Sequence, residues 1–388
     1  MNAITTRVPT IRLLFSLMVV IALGLGIYRF YGGLGAATNL TDSFPWGLWI
    51  GFDMLCGVAL AAGGFVLAGT VHIFGLRKYE PFVRPAIVTA FLGYLLAIIG
   101  LMMDLGRPWA IWHPLIMWQP HSVMFEVAWC VMLYTTVLFL EFLPIVFERF
   151  RMVRALRAMR RVMNVFIIIG IILSTMHQSS LGSLFVMMGH KLHDLWFTPM
   201  LPLLFLVSAV AVGVAMVIFE ALLSGLIFGH RHPTSLLGDL AKALPPILGL
   251  YIGLKLMDLS ARGALGHVLD NSFESWAFNI ELFVGALLPG TLLLSPTVRY
   301  NRMNLFCCVL MVIAGVVMNR LNVCLVGMLA TSPSGYLPSW IEFLVSAGVV
   351  AGGLLVLSVM NQTLPIVKAP QETLHGSDAT PHRKLTHA

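Results

Sequence analysis

The sequence predicts an all-α polytopic membrane protein, and three observations carry that expectation. Of its 388 residues, 59% are apolar and only 11% charged, and the mean hydropathy is +0.90. A soluble globular domain carries about 25% charge. The apolar residues also come in runs of about 20 or more, the length a helix needs to cross the hydrocarbon core. Finally, 18 of the 24 Lys and Arg residues fall in every second segment between runs, counted from the N-terminus, and only five fall in the others. By the positive-inside rule, that asymmetry predicts an even number of spans with both termini cytoplasmic. Soluble, disordered and collagen-like classes are excluded. The net charge of +7 does not point to nucleic acid, because the basic residues sit in short clusters between apolar runs. Cys56, Cys130, Cys307, Cys308 and Cys324 form no CxxC and no CxxCH. No metal site and no iron–sulfur cluster is therefore expected in this chain.

Ten runs qualify as spans, at roughly 12–31, 48–75, 85–104, 122–147, 162–186, 200–228, 240–260, 276–296, 303–323 and 338–361. Pro81, Pro120, Pro199 and Pro338 mark breaks between them. The first run follows Arg7 and Arg12 and resembles a signal peptide, with Gly35-Ala36-Ala37 as a cleavage site. It is long for one and is read as a retained first helix. Only Thr297 to Arg302 separate the eighth and ninth runs, so one long bent helix over 276–323 stays open. The basic run from Arg149 to Arg161 is read as a cytoplasmic topology determinant rather than a lipid or nucleic-acid patch. One integral membrane domain is expected over 1–367, followed by a flexible polar cytoplasmic tail at 368–388.

Ionisable residues inside a bilayer need partners or water, so their placement is informative. Asp53, Asp104, Glu126, Asp258, Glu281 and Glu342 all fall toward the outer ends of their runs, and Arg320 falls late in the ninth. His177 lies about 15 residues along the fifth run, roughly 22 Å from its cytoplasmic end at 1.5 Å per residue. Glu141 and Glu220 lie toward the cytoplasmic ends of theirs. Each either belongs to a proton path or pairs with an interfacial Arg beside a basic loop.

Three strings gather chemistry on the outer side: Phe44-Pro45-Trp46-Gly47 running to Asp53; Asp104-Leu105-Gly106-Arg107-Pro108 running to Ser122 and Glu126; and Thr175-Met176-His177-Gln178-Ser179-Ser180. A His, carboxylates, an Arg, an amide and aromatics suit a quinone. Its carbonyls need donors, its reduction takes up protons, and its ring needs an aromatic slot. Asp104 and Arg107 also read as a local ion pair, and Trp112 and Trp118 as interfacial anchors. A bis-His haem needs two His at one depth on facing helices. His72 does not match His177 in depth and His121 falls at the interface, so no haem is expected.

The Trp46-Gly47, Asp104-Leu105-Gly106-Arg107-Pro108, Ser122/Glu126 and Met176-His177-Gln178-Ser179-Ser180-Leu181-Gly182-Ser183 strings resemble the NrfD/PsrC family of membrane subunits, and most nearly its HybB-like branch, the hydrogenase 2 membrane subunit called a b-type cytochrome. Asn319-Arg320-Leu321-Asn322-Val323 and the Tyr336 to Glu342 stretch add to the likeness, which spans roughly 44–345. The resemblance implies two four-helix bundles, spans two to five (within 32–187, holding the quinone site) and six to nine (within 198–325), with flanking helices that include the last at 338–361. It also implies a quinone-binding subunit of the bacterial inner membrane that has no redox cofactor of its own and works with menaquinone or ubiquinone. A ferredoxin-like iron–sulfur partner would dock on the periplasmic face, with catalytic subunits beyond it, a NiFe hydrogenase among the candidates. The chain would not be catalytic alone.

In this reading His177 bonds a quinone carbonyl. Asp104 and Glu126 exchange protons with the outside, Arg107 orients Asp104 or assists the quinone, and Asp53, Gln178, Ser122 and Trp46 complete the shell. Glu141, Glu220, Asp258, Glu281, Arg320 and Glu342 are candidates for a proton path. The rival reading is a secondary transporter or ion-translocating subunit, whose intramembrane acids bind an ion or solute.

Overall fold

The structure, a computed structural model, describes residues 7–366 other than 228, 230, 231, 333 and 334. Among these residues the chain is helical, with no strand. Each predicted run becomes one rod: α1 Arg7–Gly32, α2 Trp49–Ile73, α3 Val83–Asp104, α4 Val123–Arg149, α5 Val153–Val186, α6 Leu201–Ile227, α7 Thr234–Ala261, α8 spanning 273–292, α9 Arg302–Leu329 and α10 Trp340–Thr363. Eight of these are long and apolar enough to cross a membrane. The remaining two are α5, which opens on arginine-bearing turns, and α8, which is built from three short pieces.

Local chemistry sets the starts. Ser122 caps α4, Ser272 caps α8, Asn301 caps α9 and Ser339 caps α10, each accepting a backbone N–H of the first turn through its side chain. The single bent helix over 276–323 is not formed. The chain turns between Leu293 and Asn301, and α9 packs back on α8 so closely that a methyl on Gly285 would meet Gly315 backbone. Small residues at that crossing permit the approach.

α2 packs on α3, α3 on α4, α4 on α5, and α5 returns to α2. The second set closes the same way through α6, α7, α8 and α9. The two four-helix bundles meet along α2 and α6, α5 and α6, and α2 and α9. Outside them α1 and α10 pair, with Gly348 against Ala22, and α10 lies on α3. Leu13, Leu17 and Leu23 of α1 stay exposed, as a lipid-facing helix requires.

Contacts between loops fix which rods share an end. At one end Lys78 pairs with Asp239 at 3.2 Å, Arg84 with Glu148 at 2.6 Å, and Arg84 donates to the Pro365 carbonyl. At the other, Lys191 donates to the Asp42 carbonyl, Arg262 to the Asp194 carbonyl and Asn39 to the Leu337 carbonyl. The first is called the arginine end below, since Arg149 to Arg161 lie there, and the second the acid end. Tail residues 368–388, with Lys368, Arg383 and Lys384, lie outside the described residues, as does Arg231.

Candidate functional site

Inside the first bundle α5 carries His177, which is fully buried. Its Nδ1 lies 2.8 Å from the Tyr94 hydroxyl of α3, and Tyr94 in turn meets Tyr134 of α4 edge-on. Its Nε2 is buried with no hydrogen-bond partner. Gln178 donates to the Val58 carbonyl of α2 at 2.9 Å, while its Oε1 is also left without a partner. Ser174, one turn before His177, turns its hydroxyl toward Tyr94 and Tyr134. Buried polar atoms are rarely left unsatisfied, because each costs about 1–3 kcal/mol. Two such atoms, His177 Nε2 and Gln178 Oε1, lie on neighbouring residues of α5. Trp46 is half-buried and meets Phe185 of α5 edge-on. Glu126 is half-buried on α4 and faces Cys130, which in turn faces Ser180, whose hydroxyl bonds the His177 carbonyl.

The other predicted first-bundle residues do not join this group. Asp53 is buried on α2 and accepts from Ser346 of α10. It fits only because Gly100 of α3 has no side chain. Ser122 is the N-cap of α4, its hydroxyl accepting from Phe125 N–H at 3.4 Å, so its placement is a capping one. The expected Asp104–Arg107 pair is not formed. α3 ends at Asp104 and Leu105 is extended, so the three-residue spacing no longer puts both on one helix face. Arg107 is exposed. The guanidinium near Asp104 is instead Arg29 of α1, which donates to the Met103 and Leu105 carbonyls on either side of it.

Glu342 is fully buried at the start of α10. One oxygen accepts from Ser339 N–H at 2.8 Å in a capping box, and the other takes the Tyr336 hydroxyl. Tyr336 lies in the loop outside the spans. Burial, then its bond to Glu342, pushes its phenol well above the usual range, so it stays a donor.

The second bundle holds a more complete network. Glu281 of α8 accepts from Lys255, and also from Tyr251 at 3.3 Å, Asn319 at 2.8 Å, Asn322 at 2.8 Å and Trp196 at 3.2 Å. Lys255 is only 4% exposed and Glu281 2%. Arg320 is fully buried. It lies over the Phe205 ring and donates to Ser208 at 2.9 Å and Asn319 at 2.6 Å. Asp258 takes Thr198 at 2.6 Å and Arg262 at 2.8 Å. Two small cavities flank this hub, one lined by Ser208, Tyr251, Glu281 and Gly315, the other by Trp196, Thr198, Lys255 and Asp258. Each has room for about one water.

Glu141 is buried on α4 against Gly170 of α5, with no hydrogen bond or ion pair among the described residues. Glu220 of α6 reaches Thr89 of α3. Among the described residues neither pairs with an Arg, so the interfacial pairing considered for them is not formed there. Sequence reasoning missed Tyr94, Arg29 and Ser346, gave Lys255 no role, and named Tyr336 only as part of the resemblance. Lys255 did carry a signal, a lysine inside an apolar run.

The polysulphide reductase NrfD family matches residues 36–331. The "Probable Ni/Fe-hydrogenase 2 b-type cytochrome subunit" of Escherichia coli is 36% identical over 94% of this chain and 94% of its own length. The "Menaquinone reductase, integral membrane subunit" of Nitratidesulfovibrio vulgaris is 31% identical, over 91% of each. The "Hdr-like menaquinol oxidoreductase integral membrane subunit" of Archaeoglobus fulgidus is 21% identical, over 74% of this chain and 72% of its own length.

Proposed function

This chain belongs to the NrfD polysulphide reductase family, and from that premise we propose that it is the quinone-reactive membrane subunit of a respiratory oxidoreductase complex. The observation that carries the reading is the buried, unpartnered Nε2 of His177 beside the Tyr94 hydroxyl. When bound, a quinone accepts two electrons and two protons from its surroundings. His177 meets either redox form. With the Tyr94 hydroxyl donating to Nδ1, Nε2 carries the proton and donates to a carbonyl. With Nδ1 donating to Tyr94, Nε2 is bare and accepts from a hydroxyl. An approaching ring must displace the side chains that enclose Nε2, and it then satisfies atoms that are otherwise unpaired.

The remaining roles follow from position. Gln178 offers its spare Oε1 to the same ligand. Trp46 supplies an aromatic edge nearby. Glu126, half-buried and two side chains away through Cys130 and Ser180, exchanges protons with the acid end. Asp104 and Asp53 do the same from the α3–α10 side, and exposed Arg107 serves arriving partners or lipid headgroups. The second-bundle residues Asp258, Glu281 and Arg320, with Glu342, Glu141 and Glu220, form the proposed proton path. Their cavities and buried charge pair favour translocation as a second activity of the same subunit.

The quinone is menaquinone or ubiquinone, and the name of the Nitratidesulfovibrio relative supports the former. The bacterial inner membrane is its proposed location, and the charge asymmetry supports an arginine end facing inward. A ferredoxin-like iron–sulfur protein docks on the periplasmic acid end and links it to catalytic subunits, a NiFe hydrogenase being supported by the Escherichia relative. That relative's name includes a b-type cytochrome. Here a haem is not proposed, because a bis-His haem needs two histidines at one depth on facing helices, and neither His72 nor His121 matches His177 in that way.

The test is a pull-down of the detergent-solubilised chain with quinone extraction, followed by turnover of the isolated complex. An iron–sulfur protein and a quinone in one particle are expected. The His177→Ala/Glu126→Gln variant should lose quinone-linked turnover at least about 100-fold. Unchanged turnover removes this site, and a partnerless, quinone-free chain that moves a solute when reconstituted alone establishes the transporter instead.

A further inference from the structure

A helix end leaves its last carbonyls without intrahelical partners. Asp104 closes α3, and Arg29 at the end of α1 meets that need. Its Nε donates to the Met103 carbonyl at 2.6 Å and its Nη2 to the Leu105 carbonyl at 2.5 Å. Those two peptide groups bracket Asp104. Arg29 is 2% exposed and comes from 74 and 76 residues away, so its placement is tertiary rather than local. The rest of α1 turns an apolar face outward, whereas Arg29 is deeply buried.

Arg29 forms no ion pair within 4 Å among the described residues, and the charge whose field it feels is that of Asp104. Asp104 in turn has one oxygen that is buried and unpartnered. Facing it are Glu342 of α10, Cys324 of α9 and Arg29. Glu342 has both oxygens engaged by Ser339 and Tyr336, and Cys324 bonds weakly to the Trp46 and Gly47 carbonyls. Asp104 is therefore the acid of this group that has an uncommitted oxygen, and Arg29 is the cation that answers it.

The geometry points to Arg29 as the positioning residue for Asp104: it holds the last turn of α3 and supplies the positive charge against which Asp104 takes up and releases its proton. A guanidinium suits both tasks. Its planar fork spans two carbonyls at once and it stays charged throughout the working pH range. A lysine keeps the charge but reaches one carbonyl. The catalytic side of this inference rests on the quinone reading above, while the charge coupling does not.

Two measurements test it. In the complex purified from its native membrane, turnover with a short-chain soluble quinone is followed against pH. Arg29→Gln should move the Asp104-dependent limb toward higher pH by about one unit, in either direction of electron flow, since a neutral carboxyl is favoured once the cation is gone. Arg29→Lys should keep that limb in place at a reduced rate, and Asp104→Asn should abolish it.

In lipid nanodiscs without quinone, thermal unfolding of the chain gives an independent readout. Arg29→Gln should lower the midpoint more at pH 8 than at pH 5, because the uncompensated carboxylate is ionised at the higher pH. In an Asp104→Asn background that pH dependence should vanish. A loss from Arg29→Gln that is equal at every pH and in both backgrounds would reduce Arg29 to a backbone clamp and overturn the proposal. If the parent complex shows no quinone turnover, the functional reading fails, and the nanodisc series still decides Arg29.

Discussion

Lys255 and Glu281 show what a charge needs in an apolar bundle. Neither ion is stable alone there, and each is surrounded by donors or acceptors that use its lone pairs or protons. Removing one member of such a pair typically destabilises by about 3–5 kcal/mol, whereas removing both costs much less. Lys255→Met should therefore lower unfolding stability in detergent sharply, and Lys255→Met/Glu281→Gln should recover most of the loss. An equal loss in single and double variants would show that the pair is not coupled. At this scale the sequence reported the expensive residues well. Glu281, Asp258 and Asp53 stand out because intramembrane acids are rare. It did not report partners that arrive from afar. Arg29 reaches the carbonyls beside Asp104 across more than seventy residues. Arg107, three residues from Asp104, looked like the partner only because a continuing helix would have aligned them.

Helices place these groups by departing from regular geometry. α2 begins as a π-helix over Trp49–Cys56, α8 contains one over Phe283–Leu287 and α9 one over Asn322–Val326. A π turn holds an extra residue and re-aims the side chains around it. Asp53 lies in the first, Glu281 just precedes the second and Asn322 opens the third. Hydropathy cannot reveal such turns, because they change backbone register without changing composition. It also stopped α5 short, at 162 instead of Val153, since arginine is a good helix former and the helix continues past the apolar run. Close approach is the second device. A methyl at Gly100 would collide with Asp53, whereas Gly106 has nothing within 4 Å. Gly100→Ala should thus cost about 1–3 kcal/mol of stability by overpacking, with Gly106→Ala near neutral, both read from thermal unfolding in detergent. Equal effects would deny the Asp53–Gly100 fit.

At the scale of the whole molecule, the rods put the arginine run at one end and Asp53, Asp104, Asp258, Glu281 and Glu342 toward the other, with Glu141 and Glu220 nearer the arginine end. The all-helical membrane class was legible because composition and run length are independent signals that agreed. The grouping into bundles was not, because it depends on which faces meet. Orientation is checked by single cysteines in a chain lacking exposed Cys307. With the arginine end cytoplasmic, a membrane-impermeant thiol reagent applied to intact spheroplasts should label Arg107→Cys and leave Arg154→Cys unlabelled until the membrane is opened. The reverse pattern would invert the assignment and move the proposed iron–sulfur partner to the other side.

The pairing of Asp53 with Ser346 spans 293 of the 388 residues. At about 5–20 residues per second, synthesis of that stretch takes roughly 15–60 s. Once α9 has been made, the nascent chain owns His177 and every helix of both bundles, yet its acid end still lacks α10. Asp53 waits without its hydroxyl, and Tyr336 and Glu342 do not yet exist. A helix made after both bundles is thus the one that completes the first bundle's acid cluster, so the order of synthesis delays that cluster until the helices it serves are already in place.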